Sequence, residues 1–226
     1  MDYTLKQIAH IETDFPSKFG IPRQAGIAEA LEGTVVFEPD YRNETALRGL
    51  EDFSHIWVIW QFSESVGETW SPTVRPPRLG GNERKGVFAT RSPFRPNAIG
   101  LSCLKLIGIE KTPDRGTVLR VSGADMMNGS PIYDIKPYVP YADCHPEARQ
   151  GFAPDSGSRL VVRFEPAAPA EMDPKKLEAL TQVLENDPRP RYQRDPDRVY
   201  GFRFAGYEIK FTVSEQTLTV KEIMKE

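Results

Sequence analysis

Asp134, Lys136 and Tyr138 occupy alternate positions in "GSPIYDIKPYVPYAD" (Gly129–Asp143), a stretch whose three prolines restrict the backbone. Strand alternation puts Asp134 and Lys136 on one face, together with Ile132 or Tyr138. An acid, a lysine and tyrosines on one face can form a polar pocket with aromatic walls; the same residues can equally form a surface ion pair beside packed tyrosines. Two further polar segments adjoin apolar runs. "FPSKFGIPRQ" (Phe15–Gln24) carries Lys18, Arg23 and Gln24 in a loop stiffened by Pro16 and Pro22, and "VRPPRLGGNERKGVFATRSPFRPNAIGLS" runs from Val74 to Ser102. Guanidinium groups such as Arg23 and Arg91 suit bidentate binding of a carboxylate or a phosphate alike.

Charge separates these segments from the rest. The net charge is -3, which argues against a protein that coats nucleic acid in bulk. Between Ser71 and Gly100, however, Arg75, Arg78, Arg84, Lys85, Arg91 and Arg95 face a single acid, Glu83, a local balance of +5. A second basic island holds Arg189, Arg191, Arg194, Arg198 and Arg203, partly offset by Asp195 and Asp197. Two such islands can guide a polyanion to one place, and a solvated arginine-rich surface is the plain alternative.

Several chemistries are excluded by spacing. "GGNERKGV" has the glycine spacing of a phosphate loop, but Val87 stands where the lysine belongs. No G-x-G-x-x-G follows a strand. His10, His55 and His145 lack zinc spacing, so no metal is expected, and neither Ser92 nor Ser102 has a nucleophile-elbow setting. Cys103 and Cys144 suit two reduced thiols, no apolar run is long enough to span a bilayer, and the N-terminus lacks a signal-peptide core; a soluble cytoplasmic protein is expected, with no membrane or DNA partner.

The elements that must position these side chains are mostly strands. "GTVVFEP", "SHIWVIWQF", "KGVFAT", "IGLSCLKLIGIE", "GTVLRVSG" and "PIYDIKPYV" are rich in Val, Ile and aromatics and are bounded by turn formers. "SHIWVIWQF" is nearly continuous apolar, as for a strand covered on both faces. "NETALRGLEDF" predicts a short helix capped by Asn43. Short strands without alternating long helices favour a barrel or sandwich. The turn-rich "CHPEARQGFAPDSGS" (Cys144–Ser158) reads as a linker. After it come the strand "RLVVRFEP", a helix "DPKKLEALTQVLEND" capped by Asp173 with Leu177, Leu180 and Leu184 on one face, and two or three antiparallel strands with turns at "AG" and "SEQ". The expectation is a mainly β protein: a β domain over residues 1–145, then a small α+β domain over 146–226.

Taken in order, "FPSKFGIPRQ", "LEDFSHIWVIW", "RPPRLGGNERKGVFATRSPFRPNAIGLS", "PIYDIKPYVPYAD", "DPRP" and "YGFRF" closely resemble the TsaA-like family along the whole chain. The resemblance implies an antiparallel β-barrel catalytic domain, a small C-terminal domain and a homodimer. It also implies methylation, from S-adenosyl-L-methionine, of N6 of N6-threonylcarbamoyladenosine at position 37, beside the anticodon of threonine tRNA. Carried over position by position, the donor contacts are Pro22, Arg23, Gln24, Ser63, Glu64, Arg91, the backbone of Leu101, and Pro131, Ile132, Tyr133 and Asp134. Relatives usually carry histidine at the position of Ser63 and often proline at that of Ala98, so a contact at Ser63 would run through its backbone.

The acceptor nitrogen of such a substrate is a poor nucleophile, because its lone pair is shared with the purine and the carbamoyl carbonyl. A general base typically contributes on the order of 10²–10⁴-fold to a transfer of this kind. Under the resemblance, Asp134 or a nearby tyrosine such as Tyr138 polarises the N–H and Lys136 stabilises charge on the carbamoyl oxygen; an Asp134–Lys136 ion pair and a donor-orienting Asp134 are the alternatives. Arg95 is open to either role, contact with the donor or contact with the tRNA. Arg189, Arg191, Tyr192 and Arg194 are expected to meet the anticodon stem-loop, with Tyr192 stacking on a base, or else to form a structural loop. A non-catalytic RNA-binding barrel and a methyltransferase of the same fold acting on another nucleotide or a small molecule are the competing classes.

Overall fold

The computed structural model describes residues 4–67, 69–80, 82–152, 157–165, 168–189 and 195–226. The chain begins with β1 (Ala9–Glu12) and β2 (Glu32–Phe37), then passes through three 3-10 turns to β3 (His55–Gln61). A minimal hairpin of β4 (Thr73–Val74) and β5 (Lys85–Gly86) precedes β6 (Ile99–Thr112), β7 (Gly116–Ser122) and β8 (Ser130–Pro137). The remainder is α1 (Pro140–Asp143), β9 (Val161–Phe164), α2 (Pro174–Glu185), β10 (Tyr200–Phe204), β11 (Tyr207–Ser214) and β12 (Thr217–Lys225).

Six antiparallel strands pair in the order β1-β2-β7-β6-β3-β8, and β1 also pairs with β8, so the sheet closes on itself. Its interior is filled by inward residues of alternate register, among them Ile11, Val35, Ile56, Val58, Leu104, Leu119 and Ile132. The expectation that β3 is covered on both faces fails. Ile56, Val58 and Trp60 are buried, whereas His55, Trp57, Ile59 and Gln61 are half-buried. A sheet closed on itself has only one interior, and the outward Trp57 is shielded locally by Tyr138, its ring centroid 5.8 Å away.

Two other local expectations are corrected. "NETALRGLEDF" forms two 3-10 turns, Glu44–Leu47 and Leu50–Asp52, because Gly49 at φ 86° breaks the helical path; Asn43 does cap the first, accepting from the Thr45 N–H at 2.9 Å. "KGVFAT" contributes only β5 before a 3-10 turn over Val87–Ala89. Its Val87 is buried while Phe88 points outward.

The second sheet runs β10-β11-β12-β9, with β9 parallel to β12, and α2 packs Ala179, Leu180, Val183 and Leu184 against it. Asp173 caps α2 by accepting from the Lys175 N–H at 2.8 Å. This second core also takes in Phe15, Ala28 and Leu31 from the long segment between β1 and β2. The Ala30 N–H donates to the Gln182 side chain at 2.8 Å, and Lys176 pairs with Asp14. At Gly20, φ is 94° and a Cβ would stand 2.5 Å from the Phe202 ring. The segment that carries Pro22–Gln24 is therefore fastened by the C-terminal sheet and helix.

Candidate functional site

One end of the closed sheet gathers the end of β3, the start of β6, the turn from β7 to β8 and the fastened segment. The Gly26 N–H donates to the Gly123 carbonyl at 2.9 Å, and the Asn128 N–H to the Phe15 carbonyl at 2.8 Å, so the segment lies across the opening. There the Arg91 guanidinium donates to the side-chain oxygen of Gln24, whose amide nitrogen turns back to the Arg23 carbonyl. Arg23 itself reaches the carbonyl of Arg189 at 2.8 Å.

Beneath Arg91 lies a chain of polar groups, Trp60 and Ser102 buried and Asp125 half-buried, that sequence reading did not single out. The Trp60 indole N–H donates to Ser102 Oγ at 2.9 Å, and Ser102 donates to Asp125 Oδ1 at 2.6 Å. Gly100 makes room for the indole, since a Cβ there would stand 2.3 Å from the Trp60 ring. Burial pushes the Asp125 carboxyl up to about 6, against hydrogen bonds from Ser102 and from the backbone at Asp125 and Ala25 and the opposing pull of the Arg91 charge. The signal in the sequence was slight: one acid between Gly123 and Gly129, just past a strand. Only the fold reveals that it meets Ser102, because that contact depends on β6 and β7 being neighbours.

The expected donor residues do not gather in one place. Gln24 and Arg91 meet at the opening. Ser63 and Glu64 follow β3 in an exposed 3-10 turn, with Glu64 3.7 Å from Lys18. Leu101 and Asp134 lie on the outer face, both opposite Ile59 in the pairing of β3 with β6 and β8. A register shift between Ile59 and Trp60 lets Ile132 point into the core. Pro131 pairs with His10, and the carbonyl of Ile132 accepts from the Ile8 N–H, so both belong to the ladder with β1. Tyr133 donates its hydroxyl to Gln61 at the rim.

The outer-face partner of Asp134 and Lys136 is thus Tyr138, not Ile132. Asp134 and Lys136 form an ion pair at 2.8 Å with both side chains well exposed, and the carboxylate holds the lysine above its usual range. Tyr138 stands at the start of β3, near His55 and Trp57, away from Arg91. Arg95 is half-buried and braces its own loop through the Thr90 carbonyl at 3.2 Å. Arg189 makes a two-point contact with Asp187 at 2.9 and 3.0 Å and is raised above the usual arginine range by it, so its guanidinium serves the local turn. Arg191, Tyr192 and Arg194 lie outside the described residues.

This chain matches the family model of the tRNA-methyltransferase O N-terminal domain over residues 10–144 and that of the TrmO C-terminal domain over 157–226. The chain belongs to the tRNA-methyltransferase O family. It is 35% identical over 224 residues to the tRNA (adenine(37)-N6)-methyltransferase of Escherichia coli, covering 94% of each chain. It is 41% identical over 211 residues to a Pseudomonas aeruginosa protein whose name assigns it provisionally to the S-adenosylmethionine-dependent methyltransferases, covering 90% of this chain and 89% of that one. The crystal structure of TrmO from Pseudomonas aeruginosa superposes with a TM-score of 0.75 at 32% identity, covering 99% of each chain. Arg91, Gln24 and Asp125 all fall within the segment matched by the N-terminal family model.

Proposed function

We propose that the protein is an S-adenosyl-L-methionine-dependent tRNA (adenine-N6)-methyltransferase acting at position 37, on N6-threonylcarbamoyladenosine of threonine tRNA. Family membership supports the reaction class, and one observation in the structure carries the assignment of a site. Among the described residues, Arg91 at the opening of the closed sheet is met by the neutral amide of Gln24 rather than by a carboxylate at hydrogen-bond distance. Its remaining donors suit the carboxylate of an amino-acid-like methyl donor. The donor supplies an activated methyl on a sulfonium, so the chain's own task is alignment and care of the acceptor proton.

In this reading residues 1–145 form a β-barrel catalytic domain. Residues 146–226 form a small α+β domain that fastens the donor loop Pro22–Gln24 and adjoins the tRNA through the island at 189–194. Asp134, Lys136 and Tyr138 form the acceptor side on the outer face. There the exposed Leu101 is suited to cover by a second copy of the chain, in a cytoplasmic homodimer.

The test is mass spectrometry of tRNA nucleosides after incubation with purified protein and methyl donor; absence of a methylated threonylcarbamoyl nucleoside refutes the assignment. Arg91→Met is expected to weaken donor binding by roughly tenfold or more, the loss associated with a charge-assisted contact. Calorimetric titration with S-adenosylmethionine reads this directly, and an unchanged affinity takes Arg91 out of the donor site. Asp134→Asn and Lys136→Met are expected to slow single-turnover methyl transfer by on the order of 10²-fold with donor saturated. Unchanged rates would leave the 2.8 Å pair a surface ion pair.

A further inference from the structure

Next to the Arg91 site, the segment between β3 and β6 presents aromatic rings to solvent. Phe88 is 74% exposed, Phe94 63% and Trp70 50%. Trp70 and Phe88 lie side by side, centroids 6.0 Å apart and planes inclined by 35°. Single exposed rings are ordinary, but adjacent ones make an apolar patch of the kind that marks an interaction site.

The stretch that carries Phe88 and Phe94 is braced. Val87 is buried and its N–H donates to the Pro72 carbonyl at 2.9 Å. Thr90 returns both its N–H and its hydroxyl to the Val87 carbonyl, at 3.1 and 2.8 Å. The Ser92 N–H donates to the Thr90 hydroxyl at 3.2 Å, and the Phe94 N–H to the Ser92 hydroxyl at 3.3 Å. A braced loop displays its aromatics at small entropic cost on binding.

The surrounding charge chooses the partner. The segment Ser71–Gly100 holds six basic residues and one acid. A second copy using this patch on both sides of a two-fold interface would set that positive excess against itself. Aromatic rings interleaved with arginines are instead what unpaired nucleotides recognise: bases stack on the rings while phosphates meet the guanidiniums.

We infer that Phe88 and Trp70, with the exposed Phe94 of the same loop segment, form a stacking platform for unpaired bases of the RNA substrate's loop. This rests on the tRNA methyltransferase reading and assigns RNA contact to the catalytic half of the chain, next to Arg91, in addition to the island at 189–194.

The test uses the full-length protein and a fluorescent anticodon stem-loop, with affinity measured at several salt concentrations. Phe88→Leu is expected to weaken RNA binding roughly tenfold, within the range for loss of one base-stacking ring, and Phe88→Trp is expected to restore it. The slope of log affinity against log salt stays as in the wild type for Phe88→Leu, because no phosphate contact is lost. In Arg84→Met it falls in magnitude by about 1. Donor affinity and melting temperature serve as controls and are expected to be unchanged in Phe88→Leu. Wild-type affinity in Phe88→Leu overturns the platform, as does conversion of a dimer to a monomer in sedimentation, which would make the patch an interface between copies. Failure of the wild type to bind the RNA at all would be a different result, and would sink the function reading together with the platform.

Discussion

Phe15→Ala is expected to destabilise the protein by roughly 3–5 kcal/mol, the usual loss for emptying a buried phenylalanine site, and to weaken methyl-donor binding as well. Phe15 lies outside the C-terminal segment in sequence, yet it packs in the second core, its ring 5.2 Å from that of Phe204. Its carbonyl accepts from Asn128, in the turn that leads into β8. The one residue therefore joins the second core, the segment bearing Pro22–Gln24 and the opening of the closed sheet. Denaturant unfolding gives the stability change, and hydrogen exchange is expected to rise over residues 13–31 first. Leu184→Ala is the control, since Leu184 is equally buried in the same core but belongs to α2. If both variants lose donor affinity in proportion to lost stability, the fastening role fails; if only Phe15→Ala does, the C-terminal unit acts on the site through this segment.

That dependence explains what was and was not legible in the sequence. Periodicity found most strands and α2 because alternation and capping are local: Phe202, Phe204, Ile209, Phe211 and Val213 do face the second core, and Asp173 does cap α2. It misjudged β3 because a run of apolar residues is the same whether the outer face is covered by another layer or only shielded locally, as Tyr138 and Asp143 shield Trp57. It placed Ile132 on either face because a register shift between Ile59 and Trp60 cannot be read from composition. It assigned Phe15, Ala28 and Leu31 to the first domain by chain order, although their burial belongs to the second core. The arginines and Gln24 stood out by type, whereas Asp125 and Ser102 acquire meaning only when two strands bring positions 102 and 125 together.

Asp125→Asn is expected to make the protein more stable at neutral pH while impairing donor binding. The carboxyl titrates near 6 in the folded chain against 3.8 when free, because burial penalises its charge. A group whose folded value is raised favours the folded state fully below the free value, and that contribution is lost as pH rises through the folded value. The stability owed to protonated Asp125 is therefore present below about pH 4 and gone above about pH 6, a loss of roughly 3 kcal/mol at 1.36 kcal/mol per pH unit. Asparagine keeps an oxygen to accept from Ser102 and carries no charge to bury. The variant-minus-wild-type difference in unfolding free energy should accordingly be small at pH 4 and grow to roughly 2–3 kcal/mol in favour of the variant by pH 7. Working with the difference removes groups such as Glu38 and Asp143, whose lowered values act in the opposite sense in both proteins. A charged carboxylate kept in so unfavourable a place is reasonable where its hydrogen bond from the backbone of Ala25 holds the neighbouring Gln24, the partner of Arg91, in position for the methyl donor. Titration with S-adenosylmethionine at pH 7.5 should then show weaker binding in the more stable variant. A variant that is less stable at pH 7.5 and binds the donor as well as the wild type would make Asp125 a plain structural anchor.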